Sequence, residues 1–275
     1  MNAAEARKLP IGVFDSGVGG LTVLKSLREA MPDEDLVYLG DTARLPYGTK
    51  SPASISRYAC QAAALLQRYD IKLLVVACNT ASAVALEALR EQMDPLPVIG
   101  VVEPGAHAAV SAKPNGRHLV MATEATVRLG AYREAIESLD PEAQVTELAC
   151  ELLVSLAEEG WNDGAIAEAI VRRYLEELPR EARQPESVIL GCTHFPLLRS
   201  TFESVFAQST AIVDSASTTA LAAFELLDGL SLANQGRHPG SLHLLCTDSA
   251  TRFARVGGQF LEQDLTWEDV EVVDL

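Results

Sequence analysis

Two apolar segments that each end in a cysteine constrain the fold of this chain most strongly. Residues 73–82 read LLVVACNTAS, and residues 188–197 read VILGCTHFPL. Each begins with an apolar run typical of a buried parallel strand and continues into polar residues and a helical pattern. Open α/β sheets bind ligands at the carboxyl ends of their strands, beside helix N-termini. The two segments therefore predict an α/β fold in which two thiols, Cys78 and Cys192, face one pocket.

Predicted strands and helices alternate along the rest of the chain, as in α/β proteins. A length of 275 residues suits one large domain or two modest ones, and the duplicated segment favours two. The first domain is predicted to comprise residues 1–102 and 215–275, and the second, residues 103–214, is inserted into it. Each domain is expected to be a mainly parallel sheet flanked by helices.

Composition narrows the possible partners. A net charge of −16 argues against nucleic acid as the main partner, because phosphate binding needs a basic face. No apolar run approaches the length of a membrane span, and the N-terminus MNAAEARKLP lacks the apolar core of a signal peptide. The protein is therefore expected to be cytoplasmic and not membrane-bound. Its five cysteines show no C-x-x-C spacing, so free thiols are predicted and no metal site is expected.

Two thiols on opposite faces of a substrate carbon can invert a stereocentre. One thiolate removes a proton while the opposing thiol delivers another, so neither a metal nor a redox cofactor is needed. Such chemistry requires groups that hold the substrate's carboxylates, and hydroxyl and amide side chains suit this role. The candidates are Ser16, Asn79, Thr80, Thr126 and Thr193. His194 could stabilise the Cys192 thiolate, and Asp15 could orient a substrate amine.

Structural roles are alternatives for several of these residues. Cys60 and Cys246 are interpreted as packed thiols, since free cysteine is commonly a small buried hydrophobe. Asp15 and Ser16 could instead cap a helix, and Tyr47 with Gly48 could form only a turn. Four isolated histidines have no spacing typical of ligands and are predicted at the surface: His107, His118, His238 and His243.

Six motifs together resemble those of the bacterial glutamate racemases of peptidoglycan synthesis. They are IGVFDSGVGGLTVL (11–24), YLGDTARLPYGTKS (38–51), VVACNTASA (75–83), VIGVVEPGA (98–106), ATEATV (122–127) and LGCTHFPLL (190–198). The resemblance implies interconversion of L- and D-glutamate without a cofactor. It also implies two α/β domains related by pseudo-twofold symmetry, with the substrate between them.

The resemblance also implies roles for individual residues. Cys78 and Cys192 would be the proton donor and acceptor, Cys78 serving D-glutamate and Cys192 serving L-glutamate. Glu158 would be the acidic residue beside His194, although Glu159 is an alternative, because Glu151 and Ser155 stand where family members commonly carry proline. The residues implied to contact substrate or tune the thiols are Asp15, Ser16, Pro46, Tyr47, Gly48, Asn79, Thr80, Thr126, Thr193 and His194.

Several alternatives of partner and function stay open. The chain could be another two-cysteine racemase acting on aspartate or hydantoins, although the PYGTKS loop favours glutamate. From a different functional class, it could bind an acidic ligand or a protein partner. The resemblance further implies a homodimer and, in some family members, a second function in which DNA gyrase is inhibited. The resemblance also implies that family members which need a peptidoglycan precursor as activator carry a longer N-terminal extension. Only about ten residues precede the first predicted strand here, so no such requirement is expected.

Overall fold

The computed structural model, which describes residues 3–236 and 238–275, contains two parallel β-sheets flanked by helices. The strands are β1 Ile11–Asp15, β2 Leu36–Gly40, β3 Leu73–Val76, β4 Val98–Gly100, β5 Arg117–Ala122, β6 Gln144–Ala149, β7 Ser187–Gly191, β8 Ala211–Asp214, β9 Leu242–Cys246 and β10 Val270–Val272. The helices are α1 Ala3–Ala6, α2 Leu21–Ala30, α3 Pro52–Gln67, α4 Asn79–Met93, α5 Val102–Ala112, α6 Glu124–Leu129, α7 Ala131–Leu139, α8 Glu151–Glu158, α9 Gly164–Leu175, α10 Arg199–Val205, α11 Ser215–Gly229 and α12 Ala250–Leu261.

The first sheet combines strands from both ends of the chain. Its order is β10-β9-β2-β1-β3-β4, and the second sheet has the order β6-β5-β7-β8. All of the strand pairs are parallel, as between β1 and β3 or between β5 and β7. The predicted α/β fold with two mainly parallel sheets is thereby confirmed. The proposed domain boundaries, after residues 102 and 214, stay a prediction.

Buried apolar strands explain why the sheets form where the sequence predicts them. All five residues of β1, of β2 and of β7 are buried, as are all four of β3. Separate apolar clusters lie on the two faces of the first sheet, so its inner strands β1, β2 and β3 lose water on both sides. Such burial favours continuous apolar runs over alternating ones. Within the described ranges, no helix has both the length and the apolar character to cross a membrane.

His118 lies in the core, so the prediction that places it at the surface is wrong. The residue is 1% exposed and sits on β5, directly opposite Ser187 of β7. Its Nδ1 atom lies 2.6 Å from the Ser187 hydroxyl, and burial lowers the pKa of the imidazole. The Ser187 hydroxyl thus partners one ring nitrogen of His118, a pairing that depends on strand register, whereas the buried Nε2 atom has no hydrogen-bond partner among the described residues. His107 and His238 are exposed as predicted, whereas His243 is half-buried.

Candidate active site

Cys78 lies just beyond a buried strand of the first sheet, at the point where a helix begins. It follows β3 and is the N-cap residue of α4, and its Sγ atom accepts a hydrogen bond of 3.4 Å from the Ala81 N–H. The thiol also donates to the Ser16 hydroxyl at 3.4 Å. Burial and the negative charge of Asp15 raise the pKa of Cys78 to about 12, against the opposing hydrogen bonds. This cysteine is therefore a thiol at neutral pH.

Asp15 ends the neighbouring strand β1 and is almost fully buried. Its Oδ2 atom accepts a hydrogen bond of 2.8 Å from the Gly17 N–H. Its Oδ1 atom has no hydrogen-bond partner among the described residues. Burial raises the pKa of Asp15, although the charge of His194 and nearby backbone N–H groups lower it. A buried carboxylate oxygen without a partner is well suited to accept a hydrogen bond from a cationic ligand group.

Cys192 follows β7 and belongs to a chain of polar contacts. Its Sγ atom lies 3.8 Å from His194 Nδ1, and His194 Nε2 lies 3.2 Å from Glu158 Oε1. The other oxygen of Glu158 accepts a hydrogen bond of 2.8 Å from Arg252. Glu159 is exposed, so the structure brings Glu158 rather than Glu159 to the imidazole.

Charge explains the protonation of His194. Burial by itself lowers the pKa of this imidazole, but hydrogen bonds and negative charge from Cys192 and Glu158 outweigh burial and raise the pKa to about 10. The hydrogen bond to His194 is in turn the main reason that the pKa of Glu158 is lowered. At neutral pH an imidazolium is therefore held between the Glu158 carboxylate and the Cys192 sulfur.

The local structure after the two cysteines differs. The helix after Cys78 is α4, 15 residues long, whereas Cys192 is followed by a 3-10 helix at Phe195–Leu198 and only then by α10. Pro196 lies in the first turn of that 3-10 helix. The two sulfurs thus have similar positions at strand ends but different electrostatic surroundings.

Residues next to Cys78 contact the elements of the second sheet. The Thr80 hydroxyl lies 2.9 Å from that of Thr123, the N-cap residue of α6, and 3.3 Å from that of Thr126 in the same helix. The Tyr132 hydroxyl, from α7, donates a hydrogen bond of 2.7 Å to Asn79 Oδ1. All five side chains are buried.

Residues next to Cys192 make the reciprocal contacts with the first sheet's elements. The Thr22 hydroxyl, on α2, donates a hydrogen bond of 2.9 Å to the carbonyl of Thr193. A Cβ atom built on Gly19 would overlap the Thr193 hydroxyl and the His194 ring. Both cysteine segments therefore lie at the same interface between the two sheets and their helices.

The loop after β2 reaches this interface as well. Tyr47 is buried, and its hydroxyl donates a hydrogen bond of 2.6 Å to Asp41 Oδ2. A Cβ built on Gly48 would lie 3.1 Å from Thr123 Cβ and 3.3 Å from Glu151 Oε1. The absence of a side chain at Gly48 therefore permits close approach of this loop to the residues that follow β5 and β6 of the second sheet. Pro46 is exposed, unlike the two residues that follow it.

The structure brings most of the predicted site residues together and adds others. Sequence motifs do not single out Tyr132 or Arg252, because each lies in an ordinary helical pattern and acts through contacts distant in sequence. Thr22 lies inside the IGVFDSGVGGLTVL motif and Thr123 inside the ATEATV motif, which is the signal that could have identified them. Within the described ranges, no group of three or more histidine, cysteine, aspartate or glutamate side chains is arranged to hold a metal ion.

Comparisons with known proteins agree on one family. A family model described as Asp/Glu/Hydantoin racemase matches residues 11–223. The glutamate racemase of Geobacter metallireducens is 49% identical over 251 residues, which are 91% of this chain and 92% of that protein.

Solved structures show the same relationship. Glutamate racemase from Francisella tularensis in complex with D-glutamate matches with a TM-score of 0.88 at 34% identity, covering 98% of each chain. Glutamate racemase from Thermus thermophilus in complex with beta-chloro-D-alanine matches with a TM-score of 0.86 at 40% identity, again covering 98% of each chain. This chain therefore belongs to the Asp/Glu/Hydantoin racemase family and is an isomerase.

Proposed function

We propose that this protein is a glutamate racemase that interconverts L- and D-glutamate by proton transfer between two thiols and the substrate Cα, without a cofactor. The observation that carries the mechanism is the contrast between the two cysteines. Burial and Asp15 keep Cys78 protonated, whereas Cys192 faces the imidazolium of His194. One thiol is thus ready to donate a proton while the other sulfur is ready to accept one. The names of the relatives support glutamate as the substrate.

In this proposal the two sulfurs exchange roles with each turnover. The Cys192 thiolate removes the Cα proton of L-glutamate, and the electron pair remains on the substrate as a carbanion. The Cys78 thiol then delivers its proton to the opposite face, which gives D-glutamate, a Cys192 thiol and a Cys78 thiolate. Reaction of D-glutamate follows the same steps in reverse, so Cys78 is the base for D-glutamate.

Substrate binding is assigned to the polar groups around the two sulfurs. The Oδ1 atom of Asp15 accepts a hydrogen bond from the substrate ammonium, and its freedom from protein partners supports this role. The N-terminus of α4 offers backbone N–H groups for a carboxylate. The remaining proposed substrate contacts are Ser16, Pro46, Tyr47, Gly48, Asn79, Thr80, Thr126, Thr193 and His194.

The proposed biological role is to supply D-glutamate for peptidoglycan synthesis in the cytoplasm. A reducing compartment suits the mechanism, because both sulfurs must remain free thiols, as all five cysteines are in the structure. Homodimer formation and an interaction with DNA gyrase stay predictions from sequence.

The direct test is incubation of metal-free, cofactor-free protein with L-glutamate and, separately, with L-aspartate. Optical rotation of the glutamate solution is expected to decay to zero, because enantiomers have equal free energies in water. The L-aspartate solution is expected to keep its rotation. Decay with aspartate but not with glutamate would assign the chain to a different substrate of the same family.

A substitution at Gly19 tests the proposed arrangement around Cys192. Gly19→Ala is expected to lower turnover by about 10- to 100-fold, because the new methyl group must displace Thr193 or His194 from its position. The matched control is Gly229→Ala, since a Cβ built there meets no atom within 4 Å. Turnover and thermal unfolding should be measured together. A Gly19→Ala protein with unchanged turnover would mean that the position of His194 is unimportant.

A further inference from the structure

The Glu158 carboxylate contacts two residues, one from each part of the fold: His194 follows a strand of the second sheet, and Arg252 lies on a helix that follows a strand of the first. Its Oε1 atom faces His194 Nε2 at 3.2 Å, and its Oε2 atom accepts from Arg252 Nη2 at 2.8 Å. Arg252 lies on α12, which follows β9 of the first sheet, whereas Glu158 ends α8, which follows β6 of the second. The ion pair therefore crosses the interface at which the two cysteines lie.

The same helix also contacts the imidazole directly. The Phe260 ring, on α12, packs edge-on against His194, with centroids 5.2 Å apart and an interplanar angle of 85°. Phe260 is almost completely buried. The helix α12 thus contacts both His194, through Phe260, and the Glu158 carboxylate that pairs with it, through Arg252.

We infer that Arg252 is a positioning residue for racemisation, which holds the Glu158 carboxylate against His194 and so keeps the imidazole aligned with the Cys192 sulfur. This inference rests on the proposed function. A carboxylate has two oxygens, and anchoring one of them fixes the direction of the other. Without Arg252, Oε2 turns toward water and the carboxylate rotates more freely, because the Glu158 side chain is 20% exposed.

Solvent limits the size of the effect. The Arg252 side chain is 57% exposed, and exposed ion pairs contribute modestly because water screens them. Loss of Arg252 is therefore expected to lower kcat/KM by about two- to tenfold, far less than loss of a thiol.

The sign of the pH effect follows from the charges around His194. The charged or titratable groups that act on it and on its partner are Cys192, Glu158, Asp15 and Arg252. The positive charge of Arg252 lowers the pKa of Glu158. Its removal lets Glu158 protonate at higher pH, and a protonated Glu158 no longer supplies the negative charge that pairs with His194. The acid limb of the kcat/KM profile is expected to move to higher pH.

The experiment compares three variants over a range of pH. Arg252→Gln is expected to show the reduced kcat/KM and the displaced acid limb, and Arg252→Lys to recover part of both. Arg255→Gln is the matched control, because Arg255 lies on the same helix, is exposed and forms no ion pair with the residues that the structure describes. A profile of Arg252→Gln identical to that of Arg255→Gln would overturn the inference.

A double-mutant cycle with Glu158→Gln separates positioning from a general loss of stability. If Arg252 acts through Glu158, adding Arg252→Gln to Glu158→Gln causes no further loss of kcat/KM. Equal losses in both backgrounds would contradict the inference, since they would show that Arg252 acts independently of Glu158. Failure of the proposed function has a different signature, because the unmodified protein would then not racemise glutamate at all.

Discussion

Cys192→Ser is expected to lower the rate of glutamate racemisation by about 10²- to 10⁴-fold. A serine hydroxyl ionises far less readily than a thiol, so the base that removes the Cα proton of L-glutamate is almost absent near neutral pH. In this variant the hydrogen bond and negative charge of Glu158 still favour the protonated form of His194, which works against the imidazole acting as a replacement base. Decay of optical rotation measures the rate.

The matched control for this substitution is Cys60→Ser. Cys60 lies on α3, and its carbonyl accepts a hydrogen bond from Gln92 near the C-terminal end of α4, whereas Cys78 lies at the N-terminal end of that helix. Its substitution is expected to leave turnover close to that of the unmodified protein. A Cys192→Ser protein with nearly full activity would remove Cys192 from the mechanism.

Cys78→Ser is expected to reduce racemisation by a similar factor but to leave a different partial reaction. Cys192 remains able to remove the Cα proton of L-glutamate, while the opposite face lacks an effective proton donor. After exchange of the Cys192 thiol with deuterated water, a deuteron returns to the face from which the proton left. L-Glutamate should therefore gain deuterium at Cα without forming D-glutamate. In Cys192→Ser, Cys78 remains the base for D-glutamate, so D-glutamate should gain deuterium at Cα without forming L-glutamate.

Isotope exchange is more informative here than the rate of turnover. Because the enantiomers have equal free energies in water, kcat/KM for the two directions must fall by the same factor in either variant. Proton NMR of the Cα position distinguishes the variants, since it reports which enantiomer is labelled. Labelling of the same enantiomer by both variants would contradict the assignment of one sulfur to each face.

The fold was predictable from sequence because its main signal is local. A buried parallel strand needs a short apolar run wherever it stands in the chain. The strands β3 and β7, and the cysteines that follow them, can therefore be recognised without knowing which strands pair with them. The edge strand β10 is only three residues long and two of them are exposed, so it carries little such signal. Its position depends on pairing with β9.

Long-range contacts explain what could not be predicted. Glu158 and Glu159 are adjacent acidic residues in one helical pattern, and only the packing of α8 near His194 distinguishes them. Arg252 is 94 positions away from Glu158, and no periodicity links the two. His118 is buried because β5 and β7 pair in a register that sets it opposite Ser187.

The sequence by itself determined that this chain forms parallel α/β sheets and that two cysteines stand at strand ends, because burial of apolar runs and the polar residues that end them are local properties. Only the tertiary structure decided the different surroundings of the two sulfurs. Cys78 is buried beside the negative charge of Asp15, whereas Cys192 lies beside an imidazolium held by Glu158. The pKa of each group depends on charges and burial contributed by distant parts of the chain, and those are brought together only by folding.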